Sequence, residues 1–188
     1  VFSASNLSIV PASRDDAELL AGIHRESFPH YWNPEAFTDF FAVDGTVALV
    51  AYFPSRTGGG RVGALSVTDV ATASPIKPPS NSPLRGEDKV VVGMVVHRVQ
   101  YEQADIITIA VRPAFRRRGI AAALVQASLD KAAAQGAEKI FLDVEETNAA
   151  AIALYEKFGF TPIRRRKQYY QQKDGSFTDA LVMQRKLA

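Results

Sequence analysis

The chain has 188 residues, 47 % apolar and 22 % charged, the balance of one globular domain with its own core. It contains no cysteine, which excludes disulfides and thiolate metal sites, and its three histidines (His24, His30 and His97) are too scattered to predict a metal cluster. Formal net charge is only +2, but residues 102–188 carry 14 Lys and Arg against 10 Asp and Glu, whereas residues 1–101 carry 8 against 10, so an anionic ligand is expected in the second half.

No apolar run approaches the roughly 18–20 residues of a membrane span, and no signal peptide opens the sequence, so a cytoplasmic protein without a membrane partner is expected. The chain begins at Val1 rather than methionine, as a processed or trimmed polypeptide would. "LSIVPA" (Leu7–Ala12) alternates and reads as a short strand. "SRDDAELLAGIHRESF" follows as a helix, with Ser13 as N-cap and Asp16 closing a capping box. "NPEAFTDFF" predicts a second short helix capped by Asn33, with Pro34 at its first position. "TVALVAYF" (Thr46–Phe53) is a strand. From Pro54 to Asp88 the character changes: a Gly58-Gly59-Gly60 run, four prolines from Pro75 to Pro83, and "RVGALSVTDV" as an optional strand predict a flexible insertion.

"KVVVGMVVHRV" (Lys89–Val99) and "ADIITIAV" (Ala104–Val111) read as central strands, being nearly all apolar and β-branched. A helix is predicted from Gly119 to Gln135, its inner face carrying Ile120, Leu124, Val125 and Leu129, with Gly136 ending it. "KIFLDV" (Lys139–Val144) is the next strand, and "NAAAIALYEKF" a helix closed by Gly159. Asp174-Gly175 predicts a hairpin turn between strands at about Thr161–Gln168 and Phe177–Lys186. The sum is α/β: a mixed sheet flanked by helices.

The triplet Arg116-Arg117-Arg118 sits where a strand ends and a helix begins. The first amides of a helix lack internal partners and its dipole makes that end positive, so Gly119 would admit an oxyanion close to the backbone, with Ala121 and Ala122 keeping the surface low. The pattern is neither a Walker loop nor a dinucleotide fingerprint. A solvated turn stays open, and a nucleic-acid patch is disfavoured because no interleaved aromatics accompany the triplet. The second tract, Arg164-Arg165-Arg166-Lys167, lies on a strand, whose alternation would divide its charges between two faces.

"ITIAVRPAFRRRGIAAALV" resembles the acetyl-coenzyme-A motif of the GNAT superfamily of N-acetyltransferases, with Arg116, Gly119 and Ala121 in the places of Q/R-x-x-G-x-G/A. "IFLDVEETNAAAIALYEKFGF" is similar to the family's second motif, and "RRRKQYY" with "DGSFTDALVM" resembles the protein N-terminal acetyltransferases, especially the RimI-like ribosomal-protein alanine acetyltransferases. "SFPHYWNPEAF" loosely echoes their "FPW" segment. The resemblance spans roughly residues 7–187 and leaves 54–88 unexplained. It implies a GNAT fold with a central sheet of about seven strands, one acetyltransferase domain over residues 1–188, and acetyl-CoA as co-substrate without a metal.

The resemblance also implies site residues. The backbone of Arg116–Ala122, including Arg117 and Arg118, would hold the pyrophosphate, and amides near Ile109 and Val111 the pantetheine arm. Asn148 would cap its helix or bind the cofactor. Tyr155 would protonate the departing thiolate, although its spacing alone suits a core aromatic equally. Asp143 stands where the RimI-like enzymes have glutamate; one methylene shorter, it would act as base directly or through a water. It alternates to the sheet face of Phe141 and Glu145, while Glu145 and Glu146 read as solvated fallbacks. Tyr169 and Tyr170 would clamp a substrate backbone, or pack beneath the hairpin. The implied substrate is a protein or peptide N-terminus, a ribosomal protein among the candidates, with no direct nucleic-acid partner. A small-amine acetyltransferase and a non-catalytic acetyl-CoA sensor stay open, as does the oligomeric state.

Overall fold

The computed structural model describes residues 7–54, 82, 89–172 and 174–187. The insertion, including "RVGALSVTDV", lies outside the described residues except at its margins and at the buried Ser82.

Among the described residues seven strands form one sheet: β1 (Ser8–Ala12), β2 (Thr46–Pro54), β3 (Lys89–Gln100), β4 (Gln103–Val111), β5 (Lys139–Glu145), β6 (Thr161–Gln171) and β7 (Phe177–Lys186). Their spatial order is β1-β2-β3-β4-β5-β7-β6, and only the β4–β5 pair is parallel. Among the described residues four α-helices flank it: α1 (Ala17–Ser27), α2 (Pro34–Phe41), α3 (Ile120–Ala134) and α4 (Ala149–Lys157). A mixed α/β sheet of seven strands is what the sequence predicts.

The predicted caps explain where the helices start. Asn33 Oδ1 accepts from the Ala36 amide at 3.0 Å, with Pro34 fixing the first turn of α2. Ser13 donates to Asp16 Oδ2 from both its amide and its hydroxyl, at 2.8 and 3.1 Å. That box closes a tight 3₁₀ turn over Arg14–Asp16, and the α-helix proper begins three residues later than the sequence suggests.

Two apolar cores sit on opposite faces of the sheet. Val92, Val95 and Val99 of β3 pack with Leu124, Val125 and Leu129 of α3, whereas Val91, Met94 and Val96 pack with Leu19, Leu20 and Ile23 of α1 and Phe37 of α2. The four large residues on the inner face of α3, Ile120 included, are all buried, each contributing about 1.5–3 kcal/mol. Gly93 lets α3 approach: a Cβ there would meet the Ala110 carbonyl oxygen at 2.7 Å and Leu124 Cδ1 at 3.2 Å.

β4 bends at a bulge. Val96 pairs with Thr108 and His97 with Ile106, which leaves Ile107 extra. Ala104 and Ile106 face the α3 core before the bulge, and Ile109 and Val111 after it, so the strand's inward parity switches. Beyond the bulge β4 leaves β5: the two strands pair only over Gln103–Ile106 and Lys139–Leu142. The last five residues of β4 and the last three of β5 therefore border an opening in the sheet, and α3 starts beside its mouth.

Candidate active site

At the end of β4 the chain is anchored by an arginine that the sequence reading passed over. Arg112 is only 3 % exposed; its Nε and Nη2 donate to both oxygens of Glu26 on α1, at 2.8 and 3.0 Å, and its Nη1 to the Val91 carbonyl at 2.9 Å. Its guanidinium also lies over the Phe115 ring, 5.6 Å from the centroid. A buried guanidinium needs such a bidentate partner, and the pair fixes the loop that follows. The signal in the sequence was an arginine inside an apolar "AVRPAF" stretch, where a charge must be paired.

The triplet then turns back on its own loop. Arg116 donates from Nε to the Val111 carbonyl at 3.2 Å and from Nη2 to the Ser27 carbonyl at 3.1 Å, and Arg118 donates to the Ala114 carbonyl at 3.3 Å. Arg117 (φ 64°) and Gly119 (φ 78°) both have left-handed backbone. A non-glycine residue held in that region costs on the order of 1–3 kcal/mol. α3 then begins with no side-chain cap, and the space a Cβ of Gly119 would fill is open. The open space at Gly119, in front of the positive end of α3, suits an anion, with Ala121 and Ala122 on the first turn of the helix. Ile109 and Val111 lie in the part of β4 that has left β5.

Across the opening, β5 buries alternate residues: Ile140, Leu142 and Val144 enter the α3 core, and Phe141, Asp143 and Glu145 face the other way. Asp143 is half-buried, with Oδ1 3.4 Å from Arg166 Nε and neither atom in a hydrogen bond. Glu145 is not the solvated edge charge the sequence suggests. Its Oε1 accepts from Gln172 Nε2 at 2.7 Å and from Thr178 Oγ1 at 2.6 Å, pinning the carboxylate at the end of β5. Glu146 is drawn the other way, into an ion pair with Arg165.

Asn148 Oδ1 accepts from the Ala151 amide at 3.1 Å, so of its two expected roles the structure displays the cap of α4. Tyr155 is buried in the α3 core with its ring edge-on to Phe160 at 5.8 Å, and burial pushes its phenol up to about 12. The two hairpin tyrosines part company. Tyr169 is 45 % exposed beneath the Arg166 guanidinium, whereas the Tyr170 hydroxyl donates to the Asp143 carbonyl at 3.2 Å. The Tyr170 phenol is raised by burial first, then by the charges of Asp143, Tyr169, Tyr155 and Glu145. Asp143, Glu145, Tyr155 and Tyr169 all act on the Tyr170 phenol, although they come from two strands and a helix.

The hairpin reaches this far because β6 runs on to Gln171, three residues past its predicted end, through a bulge. Arg166 pairs with Ala180 and Tyr170 with Thr178, so three residues face one; Gln168 there has φ 51°, and its amide donates to Asp179 Oδ1 at 2.9 Å. Among the described residues no group of three His, Asp or Glu side chains converges on a metal position, and no helix is long and apolar enough to cross a membrane.

The family model for the acetyltransferase (GNAT) family matches residues 17–160. The chain belongs to the GNAT acetyltransferase family. It is 36 % identical over 93 residues to the [ribosomal protein bS18]-alanine N-acetyltransferase of Escherichia coli strain K12, a match covering 50 % of this chain and 62 % of that one. An N-alpha-acetyltransferase of Saccharolobus solfataricus is 35 % identical over 113 residues, covering 53 % of this chain and 65 % of the relative. Each match spans less than two thirds of the relative. The crystal structure of the ribosomal-protein-S18-alanine N-acetyltransferase from Escherichia coli superposes with a TM-score of 0.71 at 22 % identity, covering 97 % of this chain and 94 % of that one. Ard1 from Thermoplasma volcanium gives 0.67 at 24 %, covering 97 % and 99 %. These likenesses show the GNAT fold.

Proposed function

We propose that this GNAT domain, taken as one unit over residues 1–188, moves an acetyl group from acetyl-CoA to the α-amine of a protein N-terminus, of the ribosomal-protein alanine type. The observation that carries the reading is the opening between β4 and β5, with an uncapped, glycine-led helix end at its mouth and a carboxylate and a buried phenol at its margin. The names of the bacterial and archaeal relatives support an N-terminal amine as acceptor. Ribosomal proteins are made in the cytoplasm, and we place the reaction there.

The backbone of Arg116–Ala122 would hold the pyrophosphate of acetyl-CoA, and the unpaired edge of β4 at Ile109 and Val111 its pantetheine arm. Acetyl-CoA supplies an acyl thioester. An α-amine has a pKa of about 7.7–8.0, so much of it is already neutral near pH 8 and a modest base suffices. Asp143, held by Arg166, takes the amine proton, through a water where its short arm falls short. The new C–N bond forms as the C–S bond breaks, and the sulfur must gain a hydrogen bond or a proton. Tyr155 at about 12 keeps its proton throughout neutral pH. Complete transfer to a thiolate, whose acid has a pKa of about 8.5, is uphill, so the phenol acts chiefly by hydrogen-bonding the departing sulfur. Tyr169 and Tyr170 flank the acceptor chain.

The test is acetyl transfer to peptides beginning Ala, Ser, Met-Leu and Met-Lys, with spermidine as comparator. Turnover on the Ala-led peptide that falls about 100-fold in Tyr155→Phe, at unchanged acetyl-CoA affinity, supports the assignment. Turnover on spermidine alone would move the substrate to small amines. Acetyl-CoA binding without turnover on any amine would make the domain a sensor.

A further inference from the structure

The Arg164–Arg166 tract is left over by this reaction, and its strand geometry divides it. Arg165 goes to one side, into ion pairs with Glu146 and with Asp179. Arg164 and Arg166 go to the other, where they line a cleft of about 380 Å³ together with Ile163, Gln103 and Asp105 of β4, Phe141 of β5 and Val182 of β7. The cleft is on the sheet face of Asp143, and its floor is apolar: Phe141 and Val182, with Ile163 53 % exposed at the rim.

Its charges are nearly all committed. Arg166 faces Asp143 at 3.4 Å. Asp105 lies directly across from Arg98 on β3, and its carboxyl is raised by burial and by Asp143 against the opposing pull of Arg98 and Arg166. Arg164 is exposed and makes no ion pair among the described residues, so with Arg166 facing Asp143 it is the guanidinium of the lining left to meet an anion. An anionic side chain with a short aliphatic stem matches this cleft: the stem covers the apolar floor and the carboxylate reaches Arg164.

The place of the cleft says whose side chain it takes. Phe141 and Asp143 are two positions apart on β5, about 7 Å along the strand. If the acceptor amine lies at Asp143, an extended acceptor chain running toward the paired end of β4 and β5 sets its third residue over Phe141. We infer that this cleft is a specificity subsite for the acceptor polypeptide, taking an acidic side chain at the third residue through Arg164. The inference rests on the proposed N-terminal acetyl transfer. It also gives the basic tract a role that does not involve nucleic acid.

The experiment compares kcat/KM for Ala-led hexapeptides carrying Glu, Gln or Lys at position 3, and the same series with the substitution at position 5, for the full chain, Arg164→Gln and Arg164→Glu. The wild type is expected to favour Glu over Lys at position 3 by about five-fold or more at low salt, and to be indifferent at position 5. Arg164→Gln should flatten the preference and Arg164→Glu should invert it, with acetyl-CoA KM unchanged in both. A position-3 preference that is absent, or that persists unaltered in both variants, overturns the subsite while leaving acetyl transfer standing. Turnover on none of the peptides overturns the acetyl-transfer reading and the subsite with it. Arg164 is exposed on an edge strand, and equal circular dichroism melts for the three proteins separate loss of the subsite from loss of the fold.

Discussion

Two arginine triplets of nearly the same composition end up doing different things, and the backbone beneath them decides which. Arg116–Arg118 lies on a turn with left-handed residues at Arg117 and Gly119, and the Arg116 and Arg118 side chains fold back onto the carbonyls of Val111, Ser27 and Ala114. Arg164–Arg166 lies on a strand, and period-2 alternation throws its guanidinia onto two faces, where Glu146, Asp179 and Asp143 receive two of them. In the turn the cations shape a backbone surface; in the strand they are the surface. A basic run therefore says little until its dihedral context is known.

The strongest way to break the loop side of the comparison is to remove its buried anchor. Arg112→Ala leaves Glu26 and the Val91 carbonyl facing a void, and loss of one partner of a buried pair costs about 3–5 kcal/mol. For a chain of this size the melting temperature should fall by roughly 6–20 °C, with acetyl-CoA affinity lost alongside it. A fall under 2 °C in calorimetry would mean that the pair does not hold the loop.

Next comes the backbone itself. Gly119→Val puts a β-branched residue at φ 78°, which costs on the order of 1–3 kcal/mol, and fills the space in front of the first amides of α3. Acetyl-CoA should bind about 10–100-fold more weakly by titration calorimetry, whereas Arg117→Ala, on an exposed side chain, should change binding only a few-fold. If Arg117→Ala is the more damaging of the two, side chains rather than backbone hold the anion.

These two sites also show how much could be read from residues alone. The described strands and α-helices were legible, because apolar periodicity, the caps at Asn33 and Ser13, and Gly136 and Gly159 after α3 and α4 are local signals. The motif residues were legible in place but not in posture: nothing in "RRRG" says that Arg116 spends its donors on carbonyls. What stayed hidden was long-range. The Arg112–Glu26 pair joins residues 86 apart, and Gln172 and Thr178 pin Glu145 from the hairpin 27 and 33 residues on. The bulges at Ile107 and at Lys167–Tyr169 depend on register between strands, which one strand's pattern does not reveal.

Acid should separate the two triplets further. His24 on α1 stacks on Trp32 at 4.5 Å, accepts the Trp32 amide at Nδ1, and is lowered by burial to about 4. Its neutral form is the folded one, so its contribution is present above the unfolded value of about 6.5 and is lost as pH falls toward 4. The loss is on the order of 2 kcal/mol. The end of α1 carries Glu26 and Ser27, on which Arg112 and Arg116 lean, so acetyl-CoA affinity should weaken between pH 6.5 and 4. His24→Gln should blunt the decline in the urea midpoint over that window. An identical slope in the variant would assign the acid sensitivity elsewhere.

The smallest effect belongs to the strand triplet's most decorated member. Arg165 meets Glu146 and Asp179 and looks like the best-paired arginine on the surface. Yet its side chain is 53 % exposed, water competes for every contact, and holding two long side chains in register costs entropy. Arg165→Gln should shift the melting temperature by less than about 2 °C, less than a fifth of the upper value expected for Arg112→Ala. It should leave the Glu-over-Lys preference at substrate position 3 intact, because it faces away from the cleft. A drop comparable to that of Arg112 would mean that the Arg165–Asp179 contact, beside the bulge where Asp179 receives the Gln168 amide, holds the hairpin's shape and with it Tyr169 and Tyr170. The hairpin, rather than the loop, would then be the part of the site that charge builds.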